Sequence, residues 1–147
     1  MAHLEYSSSV WSPWAVADIA VLENVQKKAV GMISGLRAND YDGKLEELGL
    51  WTLEKRREMF DMIQVYKIAH GIGEIETSLE FCRENGSRVT RNRVEPLNLV
   101  KQRSNLEVKR NFFCDRVVDK WNAIPSEVKN STSVARFKNG LVKLMSQ

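Results

Sequence analysis

The 147-residue chain has little of the chemistry from which catalytic centres are built. It contains only two cysteines, Cys82 and Cys114, 32 positions apart. They are too few and too scattered for a disulfide framework, and both read as free thiols, with Cys114 packed in the core. The two histidines, His3 and His70, form no CxxC or HxxxH spacing with these or with each other, so a zinc site is not expected. His70, beside the helix-ending Gly71, reads as an exposed or capping residue. The glycines occur singly at expected helix ends, which leaves no Gly-rich loop to cradle a phosphate. Asp40 with Asp42 and Glu46 with Glu47 resemble a magnesium site only superficially, because acidic side chains at a helix start favour the helix dipole. No catalytic residue is therefore assigned, and neither a metal nor a cofactor is expected. No apolar run approaches the roughly 18 residues of a membrane span. The N-terminus also lacks the basic and apolar regions of a signal peptide, so an intracellular protein without membrane contact is expected, with cytoplasm and nucleus left open. Three prolines argue against a long disordered linker, and no internal repeat is visible.

What is present is an ordinary globular composition, 43% hydrophobic and 28% charged. The length suits a single domain, residues 1–147, able to bury roughly two-thirds of its unfolded surface. The net charge of +3 conceals a split. Residues 1–80 hold 8 Lys and Arg against 13 Asp and Glu, whereas residues 81–147 hold 14 against 6. An acidic helical half is thus followed by a basic half, either to face a polyanion or to attract each other.

The periodicities predict a mainly α protein, a bundle of about five helices with a small two-stranded β element near residues 88–101. Ser12 and Pro13 are suited to open a first helix whose stripe is Val16, Ile19, Leu22, Val25, Ala29, Ile33 and Leu36, with Gly35 as its stop. A short helix carrying Leu45 and Leu48 should end at Gly49. Thr52 can cap a third helix with Met59, Phe60, Ile63, Tyr66 and Ala69 inward and Lys55, Arg56, Arg57, Glu58 and Asp61 outward. A weak pattern around residues 78–83 permits one more short helix, and the alternation from Arg88 to Val100 suggests the two strands. The strongest pattern is Asn111–Pro125, in a helix starting near Asn105 and stopped by Pro125. Phe113, Val117 and Trp121 recur every four residues, with Phe112 and Val118 beside them, so a broad face must be buried. A last helix from about Ser133 to Met145 presents Val134, Phe137, Leu141 and Leu144. Trp11, Trp14 and Trp51 sit at helix ends, where core packing is expected over base stacking.

The candidate binding residues lie in the basic half. Arg88, Arg91, Arg93, Lys101, Arg103, Lys109 and Arg110 fall within 23 residues, against only Glu95 and Glu107. Guanidinium forks match phosphate oxygens, so this segment reads as a nucleic-acid-binding surface guided by shape and sensitive to salt. The alternative is a merely solvated face.

Four stretches in order, HLEYSSSVWSPW (His3 to Trp14), LENVQKKAVGMISGL (Leu22 to Leu36), LEELGLWTLEKRREMFDMIQVYKIAHGI (Leu45 to Ile72) and NFFCDRVVDKWNAIP (Asn111 to Pro125), resemble the C-terminal region of jockey-like non-LTR (LINE-type) retrotransposon reverse transcriptases. The closing SVARFKNGL (Ser133 to Leu141) is similar too. The resemblance covers the end of the thumb and the C-terminal extension, beyond the palm that holds the catalytic aspartates. No adjacent Asp pair, endonuclease acids or Cys/His knuckle occurs here. The resemblance thus implies the name of an RNA-directed DNA polymerase without its activity. It implies contacts with template RNA or an RNA–DNA hybrid, an upstream polymerase domain as partner where one is present, and structural roles for Trp11, Pro13, Trp14, Leu48, Gly49, Tyr66, Phe112, Phe113 and Trp121. Because Met1 lies just ahead of the likeness, the expected origin is either a truncated element copy or an excerpt kept by a host. A helical protein-interaction module and a functionless translated relic are the rival readings.

Overall fold

Seven helices, and no strand, occur among the residues described by the computed structural model, 11–72, 97–99 and 105–146, the side chains of 108 and 109 excepted. They are α1 (Val16–Gly31), α2 (Tyr41–Glu47), α3 (Leu53–Ala69), α4 (Glu107–Arg110), α5 (Phe113–Ala123), α6 (Ser126–Lys129) and α7 (Val134–Met145). The protein is therefore mainly helical. The expected β element at 88–101 lies outside the described residues except for 97–99, and so does the short helix near 78–83. The chain divides into two compact units, Met1–Phe60 and Asp61–Gln147, with the division inside α3.

In the first unit α1 starts three residues later than the Ser12–Pro13 signal predicts. Ala15 is extended at the N-cap position and its carbonyl accepts from the amides of Asp18 and Ile19, both at 3.0 Å. The helix ends at Gly31, four residues before Gly35. Its buried line also differs from the apolar stripe. Gln26 and Val30 are fully buried and Leu22 and Glu23 half-buried, whereas Val16, Val25, Ala29 and Ile33 are exposed. The reason is polar. Gln26 and Glu23 have hydrogen-bond partners that permit their burial, and a count of apolar residues alone cannot see this. α2 packs against α1, and its Leu45 is buried. Asp40 caps α2 by accepting from Gly43 N at 3.1 Å. Gly49, at φ 62°, closes the helix in a left-handed turn, with Leu50 N donating to Leu45 O at 2.8 Å and Gly49 N to Glu46 O at 3.0 Å.

α3 buries residues of both expected faces. Leu53, Arg57 and Met59 are buried in its first half, which belongs to the first unit. Phe60 is 38% exposed instead of inward, and Arg57 is buried instead of outward. The Arg57 guanidinium lies 4.3 Å from the centre of the Trp11 ring, a cation–π contact that allows the charge to leave bulk water. Trp11 and Trp14 themselves are 43% and 52% exposed, so the expected core packing of these two rings does not hold.

The second unit is organised around α5. Phe113, Val117, Val118 and Trp121 are all buried, each aliphatic side chain contributing about 1.5–3 kcal/mol through removal from water. The expected continuous helix from Asn105 is in fact broken. Phe112 is extended (ψ 151°) and 63% exposed at the N-cap of α5. The Asn111 side-chain amide donates to the Glu107 carbonyl at 2.9 Å and so ends α4 with a local bond. Cys114 is half-buried, not a core residue. Pro125 stops α5, and its carbonyl accepts from Val128 N and Lys129 N to begin α6, a turn the sequence reading did not include. α7 is capped by Ser133, which accepts from Arg136 N at 3.3 Å, and it buries Phe137 and Leu141. Gly140 allows a close α6–α7 contact, since a Cβ there would lie 3.0 Å from a Val128 methyl group and would need that side chain to give way. Tyr66 stacks on Phe137 (centroids 4.4 Å, 18° between planes), and its hydroxyl donates to Ser131 O. Asp61 is buried because it receives two hydrogen bonds of 3.0 Å from Arg116, a forked ion pair.

Candidate nucleic-acid interface

Three polar side chains of α5 and α6 converge on the short segment 97–99, which sits inside the basic stretch singled out above. Trp121 Nε1 donates to Leu97 O at 2.6 Å. Asn122 uses both ends of its amide on Leu99, accepting from Leu99 N at 2.9 Å and donating to Leu99 O at 2.8 Å. It thereby imitates the hydrogen bonding of a neighbouring strand. Lys129 Nζ donates to Asn98 Oδ1 at 2.9 Å and to Asn122 O at 3.2 Å, and it lies 5.7 Å from the centre of the Trp121 ring. A buried ammonium is tolerable only with such neighbours. His70 Nε2 completes the surroundings by donating to Lys129 O at 2.9 Å, a bond that requires the proton on Nε2.

Of the expected binding residues, Arg88, Arg91, Arg93, Lys101 and Arg103 lie outside the described residues. Lys109 and Arg110 occupy α4, immediately ahead of α5, and Arg110 is exposed. Sequence reasoning omitted Arg136, Lys138 and Lys143, all exposed on α7. The signal was available, because no Asp or Glu follows Glu127. The anchors Asn122 and Lys129 were also missed, and their long-range bonds to backbone or amide leave no sequence signature.

A second polar cluster, in the first unit, resembles a reactive site but is closed on itself. Glu23 accepts from the Tyr41 hydroxyl and, at 2.9 Å, from Leu53 N, so its carboxylate caps α3 from another helix. Gln26 donates to Tyr41 Oη at 3.0 Å and to Trp51 O at 3.1 Å, and accepts from Arg56 Nη1 at 2.9 Å. Burial, followed by the bond to Glu23, pushes the Tyr41 phenol up to about 12. That direction keeps the phenol neutral near pH 7, the opposite of what a nucleophile or base needs. Two of the four acids near α2 are accounted for in a similar way. Asp40 caps the helix, and Glu47 accepts from the amides of Arg37 and Ala38 at 2.9 and 3.3 Å. No group of His, Cys, Asp and Glu able to hold a metal ion occurs among the described residues, and no helix among them is long and apolar enough to cross a membrane. No family model, curated protein or solved structure matches the chain.

Proposed function

We propose that this chain is a non-catalytic C-terminal segment of a non-LTR retrotransposon reverse transcriptase that grips template RNA or an RNA–DNA hybrid. The observation that carries the reading is the density of positive charge in residues 88–110, seven Lys and Arg against two Glu. The ordered likeness of four stretches and the closing SVARFKNGL supports the family. The task is binding. Phosphate oxygens accept from Arg88, Arg91, Arg93, Lys101, Arg103, Lys109 and Arg110, and bound counterions are released. Asn122, Trp121 and Lys129 tie residues 97–99, the middle of this segment, to the α5–α6 pair, which supports a segment held on the helical core. An upstream polymerase domain, where present, supplies the chemistry.

The test is a titration of the purified chain with single-stranded RNA and with an RNA–DNA hybrid at several salt concentrations. Seven phosphate contacts to a single strand predict a slope of about −5 in log K against log salt. Alanine replacement of the seven cations should flatten it. Absence of binding at low salt, or a slope unchanged by those replacements, would refute the reading. Primer extension by this chain alone would refute its non-catalytic part.

A further inference from the structure

The face of α1 turned away from Gln26 and Val30 is exposed and largely apolar. Val21 is 62% exposed, Val25 47% and Met32, which closes the helix, 82%. Asp18 and Lys28 are exposed on the same face. The residues Asp18, Val21, Val25, Lys28 and Met32 follow one another at spacings of 3, 4, 3 and 4. Three of these five residues, Val21, Val25 and Met32, are apolar, and the alternating spacing of 3 and 4 is the one by which two helices pack along a narrow line, in place of the wider stripe of a helix packed on a globular core. The order of residues along this line also has a symmetry. Val21 and Val25 are each 2 residues from Glu23, and Asp18 and Lys28 are each 5 residues from it.

We infer that α1 is a self-association surface, pairing antiparallel with α1 of a second copy of this chain about a two-fold axis level with Glu23. In that register Val21 of each copy meets Val25 of the other at the centre. Asp18 of each copy meets Lys28 of the other, so two opposite-charge pairs close the ends of the apolar patch. A parallel pairing in register would instead set Asp18 against Asp18 and Lys28 against Lys28, which like charges oppose. Charge complementarity thus selects both the occupant, another copy, and its direction. At 1.5 Å per residue the 16-residue helix is about 24 Å long, so the contact is short and the dimer weak, with a dissociation constant of about micromolar or above. The inference is independent of nucleic-acid binding, since it uses no residue of 88–110.

Sedimentation equilibrium of the full chain up to about 500 μM is the direct test, that range reaching affinities two orders weaker than micromolar. The wild-type chain should show a monomer–dimer equilibrium. Asp18→Lys and Lys28→Asp should each weaken dimerisation at least about tenfold, because each substitution creates two like-charge pairs per dimer. The double variant Asp18→Lys with Lys28→Asp should restore it, which distinguishes specific pairing from damage to the fold. Helical circular dichroism retained in all three variants completes the control. A monomer throughout the range, leaving the face to a different partner, would overturn the inference, as would dimerisation indifferent to the single reversals or a double variant that fails to recover.

Discussion

Replacing Asn122 with alanine isolates the joint between the helical core and the basic segment. In the wild-type chain the Asn122 amide satisfies both backbone groups of Leu99, a residue only 6% exposed. Asn122→Ala leaves one N–H and one C=O without their partner in a place where water is largely excluded. At about 1–3 kcal/mol for each orphaned group, discounted because the amide itself is only half-buried, the expected loss is about 2–4 kcal/mol. Asn122→Asp provides an internal control. Its carboxylate still accepts from Leu99 N but faces Leu99 O without a donor, so it should lose the second bond and add repulsion between two oxygens. Urea unfolding followed by far-ultraviolet circular dichroism measures both variants, with the slope checked for constancy. The same proteins are then titrated with RNA at low salt. If the joint holds the basic segment in register, affinity falls in Asn122→Ala under conditions where α5 remains folded. An unfolding free energy within about 0.5 kcal/mol of wild type, the range of ordinary surface substitutions, would show that Leu99 finds other partners and that the joint does not exist in solution.

Trp121 tests the core below that joint. Trp121→Ala should cost about 3–5 kcal/mol, because the ring is fully buried against Phe137. Trp121→Phe keeps most of the apolar contact and should lose less, chiefly the bond to Leu97 O; equal losses in thermal or urea melts would contradict this division. The Tyr41 phenol gives a pH signature. Its pKa is raised on folding, so its contribution to stability is fully present below the unfolded value of about 10 and is lost as pH rises through the folded value. Alkaline titration should therefore show phenolate absorbance from Tyr41 delayed to about pH 12, and Tyr41→Phe should remove that delayed component. Arg116→Met should leave the Asp61 carboxylate buried without its fork and cost about 3–5 kcal/mol at pH 7. Combining it with Asp61→Leu should recover much of the loss, and a double variant no more stable than Arg116→Met would count against the pair.

The two halves of the chain differ in how openly their folding is written. α5 and α7 were legible because their buried positions are apolar and regularly spaced: Phe113, Val117, Val118 and Trp121 in one, Phe137 and Leu141 in the other. α1 was misread because its inward line passes through Gln26, whose burial depends on Tyr41, Trp51 and Arg56, residues 15 to 30 positions away. α3 was misread for the same reason at Asp61, which is inward with Arg116, 55 positions later, forked onto it. Periodicity reports the water-avoiding side chains, whereas a polar side chain is buried by a partner that the local pattern does not contain. The candidate interface divides along the same line. Its charge was visible as seven cations in 23 residues, but Asn122 and Lys129, which hold residues 97–99, bond to backbone and amide atoms whose proximity follows only from the folded chain. The face of α1 that this polar inward line leaves exposed is informative for the same reason. Val21, Val25 and Met32 have no use in the core that Gln26 faces, and their spacing with Asp18 and Lys28 suits a second helix better than solvent.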